Sequence, residues 1–418
     1  MRKAALFTLF ACLVAAAVVL GHRMRRAEDA RSLLREANTV LAPPFARMPE
    51  LSSIGAQRAV QLLESAVELD AAPEIRGLLA YATALDEYQK GRPERAMAAL
   101  REARKLPAPG DRLLLIEAAL AHAEGDRAHA ATLVERAQAR APGDPRARLL
   151  AVDVALDSGE LARAGSLLEA LVQEHGELGE LLNRRGLVRE RRGDTDGALA
   201  DFERAMSRAP LLPAPQVNRG RLLLARGRAV EAEDQFTQAM QRGAEYDAWL
   251  GRGLARLRQG DLEGARLDVE RARKLGPAQP GPLVALADLD VQAGELDGAV
   301  QRYRAALALD GEDAVAWLKL GNALTRTRAL AEAKDAYQHA LSLSPAMSAA
   351  HNGLGAALIY LGDATGAEQA LARAAELDHA DPNPLLNLAM LRERSGDRRG
   401  AREARALAAE RAPSVRLN

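Results

Sequence analysis

Small and bulky apolar residues recur along this chain in a fixed order and at a nearly constant interval. The order is most complete between Ala314 and Met347, where it reads Trp317, Leu320-Gly321, Leu324, Ala333, Tyr337, Ala340 and Pro345. Small residues let two helices approach closely, and bulky apolar residues fill the space between them. The pattern therefore predicts pairs of short helices, each about 12–15 residues long.

The alanine equivalent to Ala333 marks ten copies of this pattern. Successive copies are 34 residues apart, except for an interval of 33 residues between Ala232 and Ala265. Inside most copies a glycine is followed by an acidic residue, as in Gly193-Asp194. Glycine accepts the left-handed conformation that ends a helix, and an acidic residue favours the start of the next helix. The ten alanines are Ala96, Ala130, Ala164, Ala198, Ala232, Ala265, Ala299, Ala333, Ala367 and Ala401.

This spacing closely resembles that of the tetratricopeptide repeat. The resemblance implies an all-α fold, a right-handed superhelical solenoid of antiparallel helix pairs with about ten to eleven units. We predict ten tandem units over residues 77–415, followed by a tail over 416–418. Residues 27–76 are predicted to form a divergent helical cap repeat, with helices over about 27–41 and Ala56–Asp70.

Residues 1–26 contain an apolar run over residues 4–20 that follows Arg2 and Lys3. A run of about 18 residues makes roughly 27 Å of helix, which barely spans the core of a bilayer. We predict an uncleaved membrane anchor, as in membrane-anchored bacterial proteins of this repeat family. The basis is a basic cluster directly after the run, formed by Arg23, Arg25 and Arg26.

Two other interpretations of this segment stay open. A cleaved secretory signal would place a small-residue site at Ala15-Ala16-Ala17 or at Val19-Leu20-Gly21, and a lipoprotein signal would end at Cys12. Positive charge lies on both sides of the run, so the positive-inside rule does not determine the orientation. The short basic N-terminus resembles the start of an export signal and favours a repeat body outside the cytoplasm.

Composition limits the classes of function. Lys+Arg and Asp+Glu both number 57, and this balance argues against a nucleic-acid-binding protein. The one cysteine, Cys12, lies in the apolar run, so the body has neither a disulfide nor a thiolate metal site. No catalytic constellation and no metal-ligand spacing can be recognised. We therefore predict a non-enzymatic body that folds without metal or cofactor, and we identify no small-molecule substrate.

Strings such as Gly251-Arg252-Gly253 and Gly353-Leu354-Gly355 resemble phosphate-binding loops. They fall inside predicted helices, at positions for small residues, and no strand precedes them. We therefore expect these glycines to serve helix packing.

The resemblance also implies a partner site, because the first helix of each tetratricopeptide unit lines a concave groove that binds other proteins. Asparagines recur at groove positions in the last three units, and an amide both donates and accepts hydrogen bonds. A row of them can hold an extended peptide whatever its sequence, although ordinary solvation of an exposed helix also explains them. The candidate residues are Asn322, Arg326, Asn352, Tyr360, Asn383, Asn387 and Arg394.

Two further possibilities concern the same groove. Chaperone-type members of the family bind a C-terminal carboxylate, but Leu318 and Asn383 stand here where basic residues are expected. An earlier unit offers a second candidate surface, formed by Leu250, Leu254 and Leu257.

We therefore predict a scaffold or adaptor that binds segments of partner proteins in a cell-envelope assembly. The alternative is a non-catalytic regulatory subunit of a glycan- or lipid-processing membrane enzyme.

Overall fold

The computed structural model describes residues 24–37, 48–89, 93–106, 110–123, 125–243 and 245–411. Within these ranges the chain forms 22 α-helices and no β-strand. They are α1 (residues 24–37), α2 (Met48–Leu69), α3 (Pro73–Gln89), α4 (Pro93–Ala103), α5 (Gly110–Ala123), α6 (Arg127–Arg140), α7 (Pro145–Asp157), α8 (Leu161–His175), α9 (Gly179–Arg191), α10 (Thr195–Arg208), α11 (Ala214–Ala225), α12 (Ala229–Gln241), α13 (Glu245–Gln259), α14 (Leu262–Leu275), α15 (Gly281–Ala293), α16 (Leu296–Leu309), α17 (Ala314–Arg326), α18 (Leu330–Leu343), α19 (Ser348–Leu361), α20 (Ala364–Leu377), α21 (Asn383–Arg394) and α22 (Arg398–Arg411).

Helices α3 to α22 form ten successive pairs, in which an odd-numbered first helix packs against an even-numbered second helix. In the pair α11–α12 the contact shown is that of Gly220 with the Phe236 ring. The predicted all-α solenoid of antiparallel helix pairs is confirmed. By its contacts the chain divides into two compact units, unit 1 (Met1–Arg219) and unit 2 (Gly220–Asn418). The core of unit 1 includes Leu63 and Leu168, and the core of unit 2 includes Tyr303, all at most 2% exposed.

The turn within most pairs is built as the sequence indicates. The glycines that follow the first helices adopt positive φ angles, for example 82° at Gly193 and 85° at Gly362. The acidic residue that follows begins the second helix. Asp194 Oδ1 accepts a hydrogen bond from the backbone N–H of Gly197 at 3.0 Å and so caps α10. Aspartate also caps α6, α14 and α20 in this way.

Glycines of the first helices make room for large side chains of the second helices. Tyr337, which is 1% exposed, lies between Gly321 of its own pair and Gly353 of the next pair. A Cβ atom at Gly353 would stand 2.5 Å from ring carbon Cε1, closer than two carbon atoms can approach. Phe236 meets Gly251 in the same way. Both Gly-x-Gly strings therefore lie inside helices and serve packing, as predicted.

Charged residues replace the apolar filling in part of the chain. In the pair α9–α10, Arg185 and Arg189 occupy the positions that Leu320 and Leu324 hold in α17–α18. Their guanidinium groups lie 2.6 Å and 2.8 Å from the carboxylate oxygens of Asp201, which is fully buried. The expectation of bulky apolar residues at these positions is wrong here, and the paired arginines compensate the buried carboxylate of Asp201. The arrangement recurs in α13–α14 with Arg252, Arg256 and Asp268.

The hydrogen bond to Asp201 also raises the pKa of Arg185 above its usual value. Arg185 therefore stays charged at any pH at which the protein is handled, because a guanidinium keeps its proton in proteins.

The N-terminal helices differ in length from the prediction. Helix α1 covers 24–37 and α2 begins at Met48, eight residues before the predicted start at Ala56. A helix interior tolerates Gly55 at a cost of about 1 kcal/mol, so this glycine does not mark the helix start. Residues 1–23 and 412–418, with the apolar run over 4–20, lie outside the described residues, and the domain boundaries stay predictions. Among the helices that are described, none has the length and apolar character to cross a membrane.

Candidate partner-binding site

The seven predicted site residues all lie on the first helices of the last three pairs. Helix α17 contributes Asn322 and Arg326, α19 contributes Asn352 and Tyr360, and α21 contributes Asn383, Asn387 and Arg394. Asn352 and Asn387 are half-buried, and the other five are exposed. Helix α19 contacts both α17 and α21. We call the surface that these three helices share the first-helix surface of unit 2.

Asn352 and Asn387 are brought together across two pairs. Asn387 Nδ2 donates a hydrogen bond to Asn352 Oδ1 at 2.8 Å. Each amide has two N–H donors and an oxygen acceptor, so this bond leaves further capacity on both side chains. Unit 1 contains the same bond at equivalent positions, from Asn218 Nδ2 to Asn183 Oδ1 at 3.0 Å. Asn352 and Asn387 therefore link neighbouring first helices and each remains half-buried, so part of each side chain still reaches solvent.

Asn322 is held by its own pair. Its Oδ1 accepts a hydrogen bond from Tyr337 Oη at 2.9 Å, and the same hydroxyl lies 3.0 Å from Thr325 Oγ1. Burial of the Tyr337 ring raises the pKa of its hydroxyl, so the hydroxyl stays protonated and able to donate. The Asn322 carbonyl is thus engaged, and its amino group is the part that remains for a partner.

An acidic residue replaces asparagine at the equivalent position of the preceding pair. Asp288 Oδ1 accepts from Tyr303 Oη at 2.5 Å, and its other oxygen lies 2.6 Å from Lys319 Nζ on the next first helix. This ion pair links neighbouring first helices, as the amide bond of Asn352 does farther along.

Asn383 differs from the other asparagines in its hydrogen bonds. At the start of α21 its backbone N–H and its Nδ2 both donate to Asp381 Oδ1, at 2.9 Å and 2.7 Å. These bonds organise the beginning of the helix. The predicted row of four asparagines is therefore one bonded pair, one residue held by a buried tyrosine and one residue at a helix start.

Tyr360 is the centre of a basic cluster. Its side chain is 43% exposed, and the guanidinium carbons of Arg394 and Arg328 lie 4.8 Å and 5.3 Å from the ring centroid. Both distances are typical of cation–π contacts. Arg326 lies nearby in the sequence, but its side chain reaches back to the Val291 carbonyl at 3.5 Å. Arg328, Tyr360 and Arg394 together form what we call the arginine–tyrosine cluster.

Arg328 was missed by the sequence reasoning, although its position contains a signal. It occupies the turn position at which other pairs have glycine, and its φ angle is 65°. Among the described residues it is the one non-glycine residue with positive φ. A left-handed conformation costs an ordinary residue about 1–2 kcal/mol, so the fold keeps a strained arginine here.

We expect Arg328→Gly to be more stable than Arg328→Ala by about 1 kcal/mol, because both lose the guanidinium and only glycine removes the strain. Urea unfolding of the two variants measures this difference directly. Equal stability of the two would show that the backbone at this turn is not strained.

The three leucines of the second candidate surface lie on α13 and pack largely into the protein. Leu257 is only 6% exposed, and Leu250 and Leu254 pack against a core cluster that includes Val269 and Leu286. The structure also describes no group of three or more His, Cys, Asp or Glu residues arranged to hold a metal ion, within the ranges given above.

Models of the tetratricopeptide repeat match residues 121–179, 183–244, 217–280 and 314–347, and a TPR repeat model matches 287–327. Together these matches cover more than half of the chain. The crystal structure of the APC/C hetero-tetramer Cut9-Hcn1 superposes with a TM-score of 0.63. This superposition covers 88% of this chain and 83% of that chain at 16% sequence identity, so the likeness concerns the fold alone.

Two curated proteins are similar over shorter stretches. The cellulose synthase operon protein C of Xanthomonas axonopodis pv. citri (strain 306) is 32% identical over 222 residues, which are 49% of this chain and 15% of that protein. The peroxisomal targeting signal receptor of Candida albicans is 36% identical over 97 residues, which are 21% of this chain and 16% of that protein. The chain thus matches about one sixth of each relative's length. From the family models and the helix pairs together, the chain belongs to the tetratricopeptide repeat family.

Proposed function

We propose that this protein is a non-enzymatic scaffold that binds an extended segment of a partner protein on the first-helix surface of unit 2. The observation that supports this most is the bonded pair Asn352–Asn387, which leaves amide donors and acceptors on a surface shared by neighbouring first helices. An extended segment has unpaired backbone N–H and C=O groups, and amide side chains satisfy both kinds.

The surface is suited to binding in a second respect. Asn322 is fixed by its hydrogen bond to the buried Tyr337, so its rotamer is largely set before a partner arrives. A preordered side chain loses less conformational entropy on binding, which favours affinity.

The biological setting is the finer part of the proposal. The apolar run over 4–20, followed by arginines, supports a chain tethered to a membrane and working in a cell-envelope assembly. The Xanthomonas relative is named as a protein of a cellulose synthase operon. This name favours the alternative, a non-catalytic subunit of a glycan-processing enzyme. The name of the Candida relative describes a receptor for a targeting signal, which favours recognition of a protein segment.

The double variant Asn352→Ala/Asn387→Ala is expected to weaken partner binding by about 1–3 kcal/mol, from two lost hydrogen bonds at about 0.5–1.5 kcal/mol each. Tagged full-length protein is used to capture partners from detergent-solubilised membranes. The recovered amount of each partner is then compared between wild type and variant. A set of structural components indicates an assembly platform, and a single enzyme indicates a regulatory subunit.

The matched control is Asn183→Ala/Asn218→Ala, which removes the same amide bond from unit 1. It should leave partner recovery unchanged. Equal recovery by both double variants and wild type would place the binding site elsewhere.

A further inference from the structure

The two arginines of the arginine–tyrosine cluster form no ion pair with a carboxylate of the described residues. Many arginines of this chain bind a carboxylate, as Arg185 and Arg252 do. In the part of the chain that the structure describes, the guanidinium groups of Arg328 and Arg394 contact the Tyr360 ring and have no carboxylate at ion-pair distance. Two positive charges therefore face solvent around one exposed ring.

The location of the arginines at helix ends explains only part of this arrangement. Arg394 is the last residue of α21, where a cation interacts favourably with the helix dipole. Arg328 lies beyond the end of α17, in a turn that glycine fills elsewhere without strain. A basic residue within the last turn of α17 would interact with the helix dipole equally well, and Arg326 is already such a residue. The strained arginine thus needs a further reason.

The geometry of stacking suggests what the cluster binds. A guanidinium group that rests on an aromatic face keeps its N–H donors in its own plane, where they remain able to form paired hydrogen bonds. A carboxylate fits such a planar pair of donors with both oxygens. Two carboxylate-binding guanidinium groups thus lie 4.8 Å and 5.3 Å from the centroid of the exposed Tyr360 ring.

A protein segment is favoured as the source of the carboxylate because amide groups lie close by. Tyr360 follows Asn352 on α19 by eight residues, or about 12 Å along the helix axis. About four residues of extended chain cover that distance. One segment can therefore place its backbone on the Asn352–Asn387 pair and an acidic side chain on the cluster.

We propose that Arg328, Tyr360 and Arg394 bind an acidic side chain of the partner, so that this surface selects extended segments rich in Asp or Glu. This proposal rests on the proposed function and gives the partner a chemical class. The attraction is electrostatic and partly exposed, so binding should weaken as ionic strength rises.

The test uses full-length protein and a fluorescein-labelled octapeptide of alternating Glu and Gly, with a Gln–Gly peptide of equal length for comparison. Fluorescence anisotropy should show tighter binding of the Glu peptide by about tenfold or more, since hydrogen bonds to charged groups are the stronger class. Arg328→Gly and Arg394→Gln should each remove most of this preference. Tyr360→Phe should retain it, because the ring and not the hydroxyl contacts the guanidinium groups.

The matched control is Arg402→Gln, which removes one exposed positive charge from the second helix α22. It should bind the Glu peptide as wild type does. If Arg328→Gly, Arg394→Gln and Arg402→Gln all bind the Glu peptide with the same affinity, the cluster has no special role. The attraction is then a property of net charge and the proposal is wrong. If inorganic phosphate or phosphatidylglycerol vesicles compete as effectively as free Glu peptide, the cluster is a general anion site and the proposal is likewise overturned.

The two proposals fail separately. If wild type does not distinguish Glu from Gln peptides while Asn352→Ala/Asn387→Ala still lowers partner recovery, the scaffold stands and the acidic segment does not. If the Glu preference is present while partner recovery is insensitive to the asparagines, the cluster binds acidic segments and the proposed binding site at Asn352–Asn387 is wrong.

Discussion

Asp201→Ala is expected to lower the free energy of unfolding by about 2–4 kcal/mol. The carboxylate is fully buried and receives hydrogen bonds from Arg185 at 2.6 Å and 2.9 Å, with Arg189 at 2.8 Å. Removing one partner of a buried pair typically costs about 3–5 kcal/mol, because the remaining charge lies buried without compensation. The two arginine side chains are 22% and 36% exposed, so water reduces the cost here. Urea unfolding measures it.

The chain itself provides the control for this experiment. In α17–α18 the equivalent positions are Leu320, Leu324 and Ala336. The triple variant Arg185→Leu/Arg189→Leu/Asp201→Ala copies that apolar solution, and replacing a buried ion pair by apolar residues is often neutral or stabilising. It should recover most of the stability that Asp201→Ala loses. A triple variant that is less stable than Asp201→Ala would mean that the charge network is a net source of stability.

Tyr337→Ala is expected to lower the free energy of unfolding by about 3–5 kcal/mol, the usual range for deleting a buried aromatic side chain. The ring fills the space between Gly321 and Gly353, and neither glycine has a side chain that can close the cavity. In a repeat array the damage should concentrate in neighbouring pairs. Hydrogen exchange should therefore rise mainly in α17, α18 and α19.

Tyr337→Phe is the matched control, since it keeps the ring and removes only the hydroxyl bonded to Asn322. It should cost about 0.5–1.5 kcal/mol, the net value of one hydrogen bond. If Tyr337→Ala raised exchange uniformly along the whole chain, the ring would not be a local wedge and the described packing would be wrong.

The repeat fold could be predicted from the sequence because its determinants are local and repeated. A glycine such as Gly193 ends a helix by its own conformational freedom, and Ala333 permits close approach by its size alone. Neither property depends on a distant partner. The start of α2 at Met48 could not be predicted in the same way, because this segment diverges from the repeat pattern and has no second copy in the chain for comparison.

The candidate site was harder to predict, because its geometry depends on pairings across helix pairs. The sequence placed Asn322 and Asn383 in one row, but it did not show that Tyr337 and Asp381 engage them. Arg328 was visible as an arginine at a glycine position, and only the structure shows its guanidinium group over Tyr360. In α9–α10 the sequence likewise shows Arg185 and Asp201 as charged residues, but it does not show that they form an ion pair.

The amide bond between Asn352 and Asn387 also bears on how unit 2 deforms. A single neutral hydrogen bond contributes about 1 kcal/mol net, so thermal motion opens such a link frequently. The Tyr337 wedge between Gly321 and Gly353 is instead a close-packed contact that resists compression. Neighbouring pairs are thus joined by a compliant polar edge and a stiff apolar interior. The surface should adapt to ligands of different width by exchanging amide partners at the edge, while the spacing of the helices stays constant.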